Sequence, residues 1–309
     1  MKLSVIVVTK NGAQRVVPCL DSIAAALNRA APLDAEILVV DNGSTDDTGI
    51  VIRKWAKASA IPAVAMLEPR PGKSRGLNLA VSVSKGDLFA FIDDDCRLHP
   101  EYVNDLLRHD AADTELVLRG GRVELGDLTD LPYTINTSPT PKRWHISLNS
   151  TRHEYISGEL NGCNMAMRRA LVERLGPFDE NFGPGSRMGS GDDAEYFFRA
   201  YAARVTLEYV PDMVVFHHHG RKTAEEGRAL LRRYSIGWGA VHAKYLFQHY
   251  SFYREAYDDL RALIAGNNTC LADIGFSRMD KLMCEARGAL RYFAWVLRDR
   301  ASGRPRRRS

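Results

Sequence analysis

The sequence predicts an α/β fold, a mostly parallel sheet flanked by helices, followed by a helical C-terminal extension. Three observations carry this expectation. Up to about residue 110, short apolar β-branched runs alternate with helical stretches across short links, the pattern of a parallel sheet. The apolar runs are continuous rather than alternating, as in strands covered on both faces. Beyond about residue 221 the strand-like runs stop and the chain turns helical and aromatic-rich.

Residues 3–8 (LSVIVV) read as the first strand and residues 16–30 as a helix. Residues 36–40 (EILVV) form a second buried strand that ends at Asp41 and enters NGSTDDT. There Ser44 or Thr45 can cap a helix over 49–58, with Asp46 and Asp47 at its positive end. A weaker strand, 63–67, precedes a helix over 77–84. Residues 88–92 (LFAFI) form a fourth strand that ends in Asp93, Asp94 and Asp95, and Pro100 opens the next helix, 100–109. Residues 115–123 read as a further strand. Residues 124–157 are polar, contain Pro132, Pro139 and Pro141, and read as a long loop or lid. A strand over 163–167 leads into a helix over 170–175. Residues 182–191 hold four Gly and one Pro and read as a flexible loop before Asp192, Asp193 and Glu195, which open a helix over 194–203. Residues 206–210 and 213–216 read as two late strands. Helices follow within 228–265 and over 277–300. The last has an apolar face at Met279, Leu282, Met283, Leu290, Phe293 and Leu297, with Ser277 and Asp280 as an approximate capping box.

The chain has 309 residues, 45% hydrophobic and 26% charged, which excludes disordered, collagen-like and coiled-coil classes. The formal charge of +4 comes from the final nine residues, ASGRPRRRS, which hold four Arg and no acid; the body is neutral. Nucleic-acid binding would rest on that tail alone and is not expected. No apolar run approaches the roughly 18 residues that cross a bilayer. The N-terminal run is too short for a signal peptide and lacks a cleavage site. Five scattered Cys without metal-ligand spacing suit a reducing compartment. The expectation is a cytoplasmic protein.

Several residue groups can carry chemistry. Three adjacent carboxylates at the end of a buried strand repel one another. A hard divalent cation would offset that repulsion, since Mg²⁺ takes one or two carboxylates plus phosphate oxygens; the plainer reading is a solvated acidic turn. Asp41 could accept hydrogen bonds from a ribose or base, or make an Asx turn into the following helix. In RPGKSRGLN, Gly72 and Gly76 permit close backbone approach while Lys73 and Arg75 can neutralise phosphate, although the P-loop pattern is absent. Asp192, Asp193 and Glu195 could simply cap a helix, but crowded carboxylates push one pKa up, which suits a general base. Of His217, His218 and His219, at most two can share one site, because neighbours on an extended chain face opposite ways.

Taken in order, SVIVVTKNG, VVDNGSTDDT, RPGKSRGLN, FAFIDDDC, LNGCNMAMRR, LGPFDENFG and GDDAEYFFR resemble glycosyltransferase family 2, with its GT-A fold, over residues 3 to about 220. The resemblance implies that Thr9 and Asp41 hold the nucleobase and ribose of a nucleotide-sugar donor, with Asn11, Lys73, Arg75 and Asn78 nearby. Asp93 and Asp95 match the DxD acids: Asp95 would bind Mn²⁺ or Mg²⁺, Asp93 the ribose or metal, and Asp94 would lie on the donor side. Gly162, Cys163 and Asn164 would line the sugar and acceptor side. Asp193 would be the catalytic base, paired with Asp192, and His217 or His219 would sit near the diphosphate or metal. The implied reaction is a metal-dependent, inverting transfer of one sugar from a nucleoside-diphosphate sugar, UDP first. Its acceptor would be a hydroxyl of a glycan, glycolipid or small molecule, as in cell-envelope polysaccharide synthesis.

The sequence departs from the family pattern in reading TKN in its first motif and Asp192-Asp193 where Glu-Asp is usual. It also lacks the Gln-x-x-Arg-Trp signature of processive synthases, which favours one sugar per encounter. The expected organisation is a GT-A domain over 1–220, a helical extension over 221–300, and a basic tail over 301–309 without fixed structure. Two rivals stand beside this reading: a nucleotidyltransferase that makes a nucleotide sugar, and a non-catalytic carbohydrate- or membrane-binding protein. The extension carries dense aromatics (Tyr245, Phe247, Tyr250, Phe252, Tyr253). It would pack on the sheet or on a second copy in a homodimer, or dock the protein on an anionic membrane holding a lipid-linked acceptor.

Overall fold

A computed structural model describes residues 1–144, 158–246 and 251–301, without the side chains of 251–256, 270, 272 and 301. The rest of the expected lid (145–157), Phe247, Tyr250, the side chains of Phe252 and Tyr253, and the basic tail lie outside the described residues.

The first half runs β1 (Lys2–Thr9), α1 (Val16–Arg29), β2 (Asp34–Asp41), α2 (Thr48–Ala58), β3 (Ala63–Leu67), α3 (Lys73–Val83) and β4 (Leu88–Asp93). Its four strands pair in parallel in the order β3-β2-β1-β4. Next come β5 (Cys96–Leu98), α4 (Tyr102–Ala112), β6 (Val117–Leu125), β7 (Lys142–Trp144), β8 (Asn164–Arg168), α5 (Arg169–Leu175), α6 (Asp192–Ala202) and β9 (Thr206–His217). β8 is antiparallel to both β4 and β6, and β9 lies parallel to β6 with β5 and β7 antiparallel to it. The last part is α7 (Ala224–Tyr245), α8 (Ser251–Ile264), the small hairpin β10 (Thr269–Leu271) and β11 (Phe276–Ser277), and α9 (Arg278–Ala301). No helix among the described residues is long and apolar enough to cross a membrane.

The unbroken apolar runs are explained by layers on both faces. One core packs Val5, Val7, Ile37 and Val39 against α1 and α4; the other packs Ile6, Leu38, Phe89 and Phe91 against α3, α5 and α6. Alternate residues of each strand therefore serve opposite layers. Register does the rest for function. Thr9 pairs with Asp41 and Val8 with Asp93, so the C-terminal ends of β2, β1 and β4 form one edge. Ligands of open α/β sheets bind at such an edge.

Four expectations change. The two late strands are one, β9, whose pairing with β6 jumps from Val210 to Val214. Pro211 has no N–H to donate, and the extra residues bulge out without ending the strand. Helix α3 begins at Lys73, four residues early, because the Lys73 N–H donates to the Pro184 carbonyl at 3.0 Å, a partner distant in sequence. Residues 182–191 are not a loose loop. The Ser74 hydroxyl donates to the Phe182 carbonyl, the Ser190 hydroxyl to the Arg233 carbonyl, and a Cβ on Gly237 would fall 2.1 Å from Ser190 Oγ. Within 124–157, β7 and the Val123–Asn136 bridge bind part of the expected lid to the sheet.

Candidate active site

The three consecutive aspartates go to three different partners. Asp93 closes β4 and takes the Lys73 ammonium at 2.5 Å. Asp94 is buried; the Thr9 hydroxyl donates to it at 2.5 Å and Arg15 pairs with it at 3.0 Å. Asp95 faces His217 Nε2 at 3.4 Å. The repulsion expected of the triplet is thus divided among Lys73, Arg15 and His217. Burial raises the Asp94 carboxyl, only partly countered by Arg15 and Thr9. Burial works the same way on Asp95, but there the His217 contact prevails and holds the carboxyl below its ordinary range. Burial opposes the charge on His217, yet Asp95 outweighs it and pushes the imidazole up to about 9.

The Thr134 hydroxyl donates to the Tyr133 carbonyl, so the contacts of His217 Nδ1 with Thr134 at 3.2 and 3.4 Å need Nδ1 as the donor. Nε2 is then the atom that meets Asp95. Ligand atoms of Asp95, Cys96 and His217 lie within 4.8 Å of one another. Carboxylate and imidazole suit a hard or borderline divalent cation. Cys96 does not fit as a thiolate donor, because burial in the apolar core drives its thiol well above the ordinary value. His219 is committed elsewhere: Nδ1 accepts from the Arg221 N–H at 3.1 Å and Nε2 donates to the Leu131 carbonyl at 3.0 Å.

A second acidic pair opens α6 behind Gly191, whose φ of 84° is a left-handed conformation that glycine adopts without strain. Asp192 is buried 3.9 Å from Lys73. Burial, with Asp193 and Asp93 nearby, pushes its carboxyl up to about 6 despite Lys73. Lys73 itself is held well above its ordinary value, since Asp93 and Asp192 outweigh its burial. Asp193 Oδ2 accepts the Gly162 N–H at 3.1 Å, and a Cβ on Gly162 would fall 2.5 Å from Asp193 Cβ. The start of α6 is braced from behind by Glu195, fully buried, which accepts from Lys244 at 2.7 Å and Tyr245 at 2.6 Å.

These groups surround one cavity of about 320 Å³. Lys73, Asp93, Gly162, Cys163, Asp192, Asp193 and His217 line it together. Its other wall is apolar and aromatic: Ile135 and Leu160, Phe197, Phe198 and Tyr201 from α6, and Leu231, Tyr234 and Trp238 from α7. The remaining sequence candidates are not in that lining. Asn164 is fully buried, accepting from the Tyr102 hydroxyl at 2.8 Å and donating to the Arg122 and Met213 carbonyls. Asn78 is spent on the backbone of Phe178, and Arg75 meets Glu180 at 3.4 Å.

Thr9, Asn11 and Asp41 lie at the β1–β2 edge. Asn11 accepts the Thr45 N–H and Asp41 accepts the Ser44 N–H, both at 2.8 Å, which shapes the NGSTDDT turn. Helix α2 starts at Thr48, and Asp46, not Ser44 or Thr45, accepts from its first N–H.

Sequence reasoning passed over Arg15, Asn42, Tyr234 and Trp238. Asn42 was within reach of it, being next to Asp41 in VVDNGS. It accepts the Gly72 N–H at 2.8 Å and donates to the Glu68 and Arg70 carbonyls, fixing the loop before Lys73. Tyr234 and Trp238 carry a helical spacing but no mark of the cavity they face.

Three comparisons bear on this arrangement. Residues 4–176 match the family described as Glycosyl transferase family 2. Among curated proteins, the chain is 26% identical over 241 residues to glycosyltransferase AglE of Haloferax volcanii, covering 77% of this chain and 73% of that one. It is 25% identical to the succinoglycan biosynthesis protein ExoU of Rhizobium meliloti, spanning 56% of that protein's length. Among solved structures, S. aureus TarS 1–349 in complex with UDP aligns over 99% of this chain and 93% of that one, with a TM-score of 0.56 at 19% identity. The mannosyltransferase PcManGT of Pyrobaculum calidifontis, in complex with GDP-Man and Mn²⁺, aligns over 98% of this chain and 76% of that one, with a TM-score of 0.54 at 19% identity. The two structures share the fold of this chain.

Proposed function

The chain belongs to glycosyltransferase family 2, and from that premise we propose that it moves one sugar from a nucleoside-diphosphate sugar to an acceptor hydroxyl with inversion at the anomeric carbon. One observation carries the reading. Lys73–Asp93, Asp192–Asp193 and His217, which meets Asp95 behind the lining, converge at one cavity next to the strand edge of Thr9 and Asp41. Relatives bound to UDP or to GDP-Man with Mn²⁺ support a nucleotide-sugar donor; UDP is the first choice, with GDP and dTDP as alternatives.

The residues divide the work. Asp41, beside Thr9, is positioned for the nucleoside, with Asn42 holding the 68–72 loop. Lys73 meets the negative charge that grows on the leaving diphosphate. Asp95 and His217, with Asp93, would hold a divalent cation, which when bound neutralises diphosphate charge. Asp193, fixed by the Gly162 N–H, takes the proton from the acceptor hydroxyl on the side of the sugar opposite the leaving group. A single displacement from that side inverts the centre. Asp192, with its carboxyl near 6, is the neighbour whose partial protonation relieves repulsion against Asp193. The aromatic wall suits the face of an acceptor ring or its apolar carrier, consistent with a glycan, glycolipid or small-molecule acceptor.

The test is thermal stabilisation by UDP, GDP, dTDP and CDP, each with and without Mn²⁺ or Mg²⁺. A nucleotide at 100 times its dissociation constant adds about 2.7 kcal/mol. The expected result is one nucleotide that stabilises only with metal, and no such effect in Asp95→Ala. No response to any nucleotide sinks the proposal. Product that keeps the donor's anomeric configuration by NMR sinks the inverting step alone.

A further inference from the structure

Helix α9 shows solvent the wrong face. A helix packed on one side should be polar on the other. Its packed side is fixed by a close crossing with α7: a Cβ on Gly288 would fall 1.9 Å from the Ile236 carbonyl, and one on Gly239 1.9 Å from the Glu285 carbonyl. At about 100° per residue, the residues half a turn around from Gly288 are Met279, Met283, Leu290, Phe293 and Leu297. All five are exposed, Leu290 to 69% and Leu297 to 66%. Beside this stripe stand Arg287, Arg291 and Arg298, also exposed; of the acids of the helix, Glu285 is buried, Asp299 is half-buried, and Asp280, half-buried on the Arg flank, accepts from the Ser277 N–H and hydroxyl at the helix start. The sequence continues past Ala301 into GRPRRRS, which adds four Arg at the same end.

We propose that this outward face of α9 docks the protein on an anionic membrane, its apolar stripe in the headgroup boundary and its Arg flank on the lipid phosphates. The charge pattern selects this occupant. Two copies of the face laid together would set the three exposed Arg of each flank, Arg287, Arg291 and Arg298, against a flank whose one acid, Asp280, is already held by Ser277. An apolar stripe edged by three exposed Arg, with a basic segment following it, matches an interfacial helix on anionic lipid. The inference does not rest on the donor or on the transfer chemistry.

The experiment is vesicle co-sedimentation of the full chain with phosphatidylcholine alone and with phosphatidylcholine containing phosphatidylglycerol. The comparison variants are Leu290→Asp/Leu297→Asp, and Ala at Arg304, Arg306, Arg307 and Arg308. Both leave the cavity untouched, so thermal melting and nucleotide binding report folding separately. The expected result is binding to anionic vesicles only, weakened by salt and reduced at least about tenfold by the Leu double variant. Three results overturn the proposal: no binding to anionic vesicles at low salt; binding lost with the tail variant but kept in the Leu variant; or a dimer by sedimentation velocity that the Leu variant abolishes, without vesicle binding.

Discussion

At the residue scale, Asp192 and Asp193 share a helix start but not an environment. Asp193 faces the cavity and receives the Gly162 N–H, whereas Asp192 is buried toward Lys73 with its carboxyl pushed up to about 6. The folded chain therefore holds that proton up to about 6, while an unfolded Asp releases it near its ordinary 3.8. Stability from this group is greatest below the unfolded value and is lost as pH rises through about 6, a cost on the order of 2–3 kcal/mol above it. Asp192→Asn should raise stability at pH 7.5 and flatten its pH dependence between about 4 and 6, read as melting temperature across pH against the parent. Asp193→Asn should lower kcat by about 10²–10⁴-fold with nucleotide stabilisation unchanged. Gly162→Ala should act through the same carboxylate, because its methyl would claim space 2.5 Å from Asp193 Cβ. Steady-state kinetics should show kcat falling while the donor KM stays near the parent value. An intact kcat in Asp193→Asn would remove it from the base role.

At the element scale, helix ends and crossings decide where the functional side chains stand. Helix α7 starts with a full capping box, Thr223 with Glu226, and crosses α9 at the Gly239 and Gly288 contacts. Through Lys244 and Tyr245 it reaches Glu195 under the acidic start of α6. Gly288→Val would force branched atoms against the Ile236 carbonyl and should cost about 2–3 kcal/mol, visible as a lower denaturation midpoint. An unchanged midpoint would mean that the α7–α9 crossing is looser than these contacts require. The Thr223–Glu226 signal was present in the sequence and was passed over. The glycine crossing was not visible there, since nothing local tells a packing glycine from a flexible one.

At the scale of the whole molecule, the cavity is composite. Residues within the 4–176 family match supply Lys73, Asp93 and Gly162, while α6, β9 and α7 supply Asp193, His217 and Tyr234 from beyond it. Donor and acceptor functions should therefore separate by mutation. Tyr234→Ala should raise the KM for the acceptor and leave nucleotide stabilisation unchanged; equal effects on both would place Tyr234 on the donor side. The strand–helix alternation and the order of the acidic motifs made the fold and the family resemblance legible. Lys73, Asp93, Gly162, Cys163, Asp192, Asp193 and His217 do gather in one place. Asn78, Asn164 and His219 had motif positions equally suggestive, yet the folded chain commits them to backbone carbonyls and buried amides.

What the sequence determined by itself is what fits within a short window: apolar runs that must be covered on both faces, carboxylates at strand ends, and glycines where backbone crowds. What only the tertiary structure decided is which of those groups meet. Asp93, Asp94 and Asp95 are adjacent in sequence, yet Lys73, Arg15 and His217 reach them from three different parts of the chain. The same holds for α9, whose apolar stripe reads as ordinary core until the Gly288 crossing turns it outward. Periodicity is a local property of the chain, whereas the partner of a side chain depends on contacts closed between segments far outside that window.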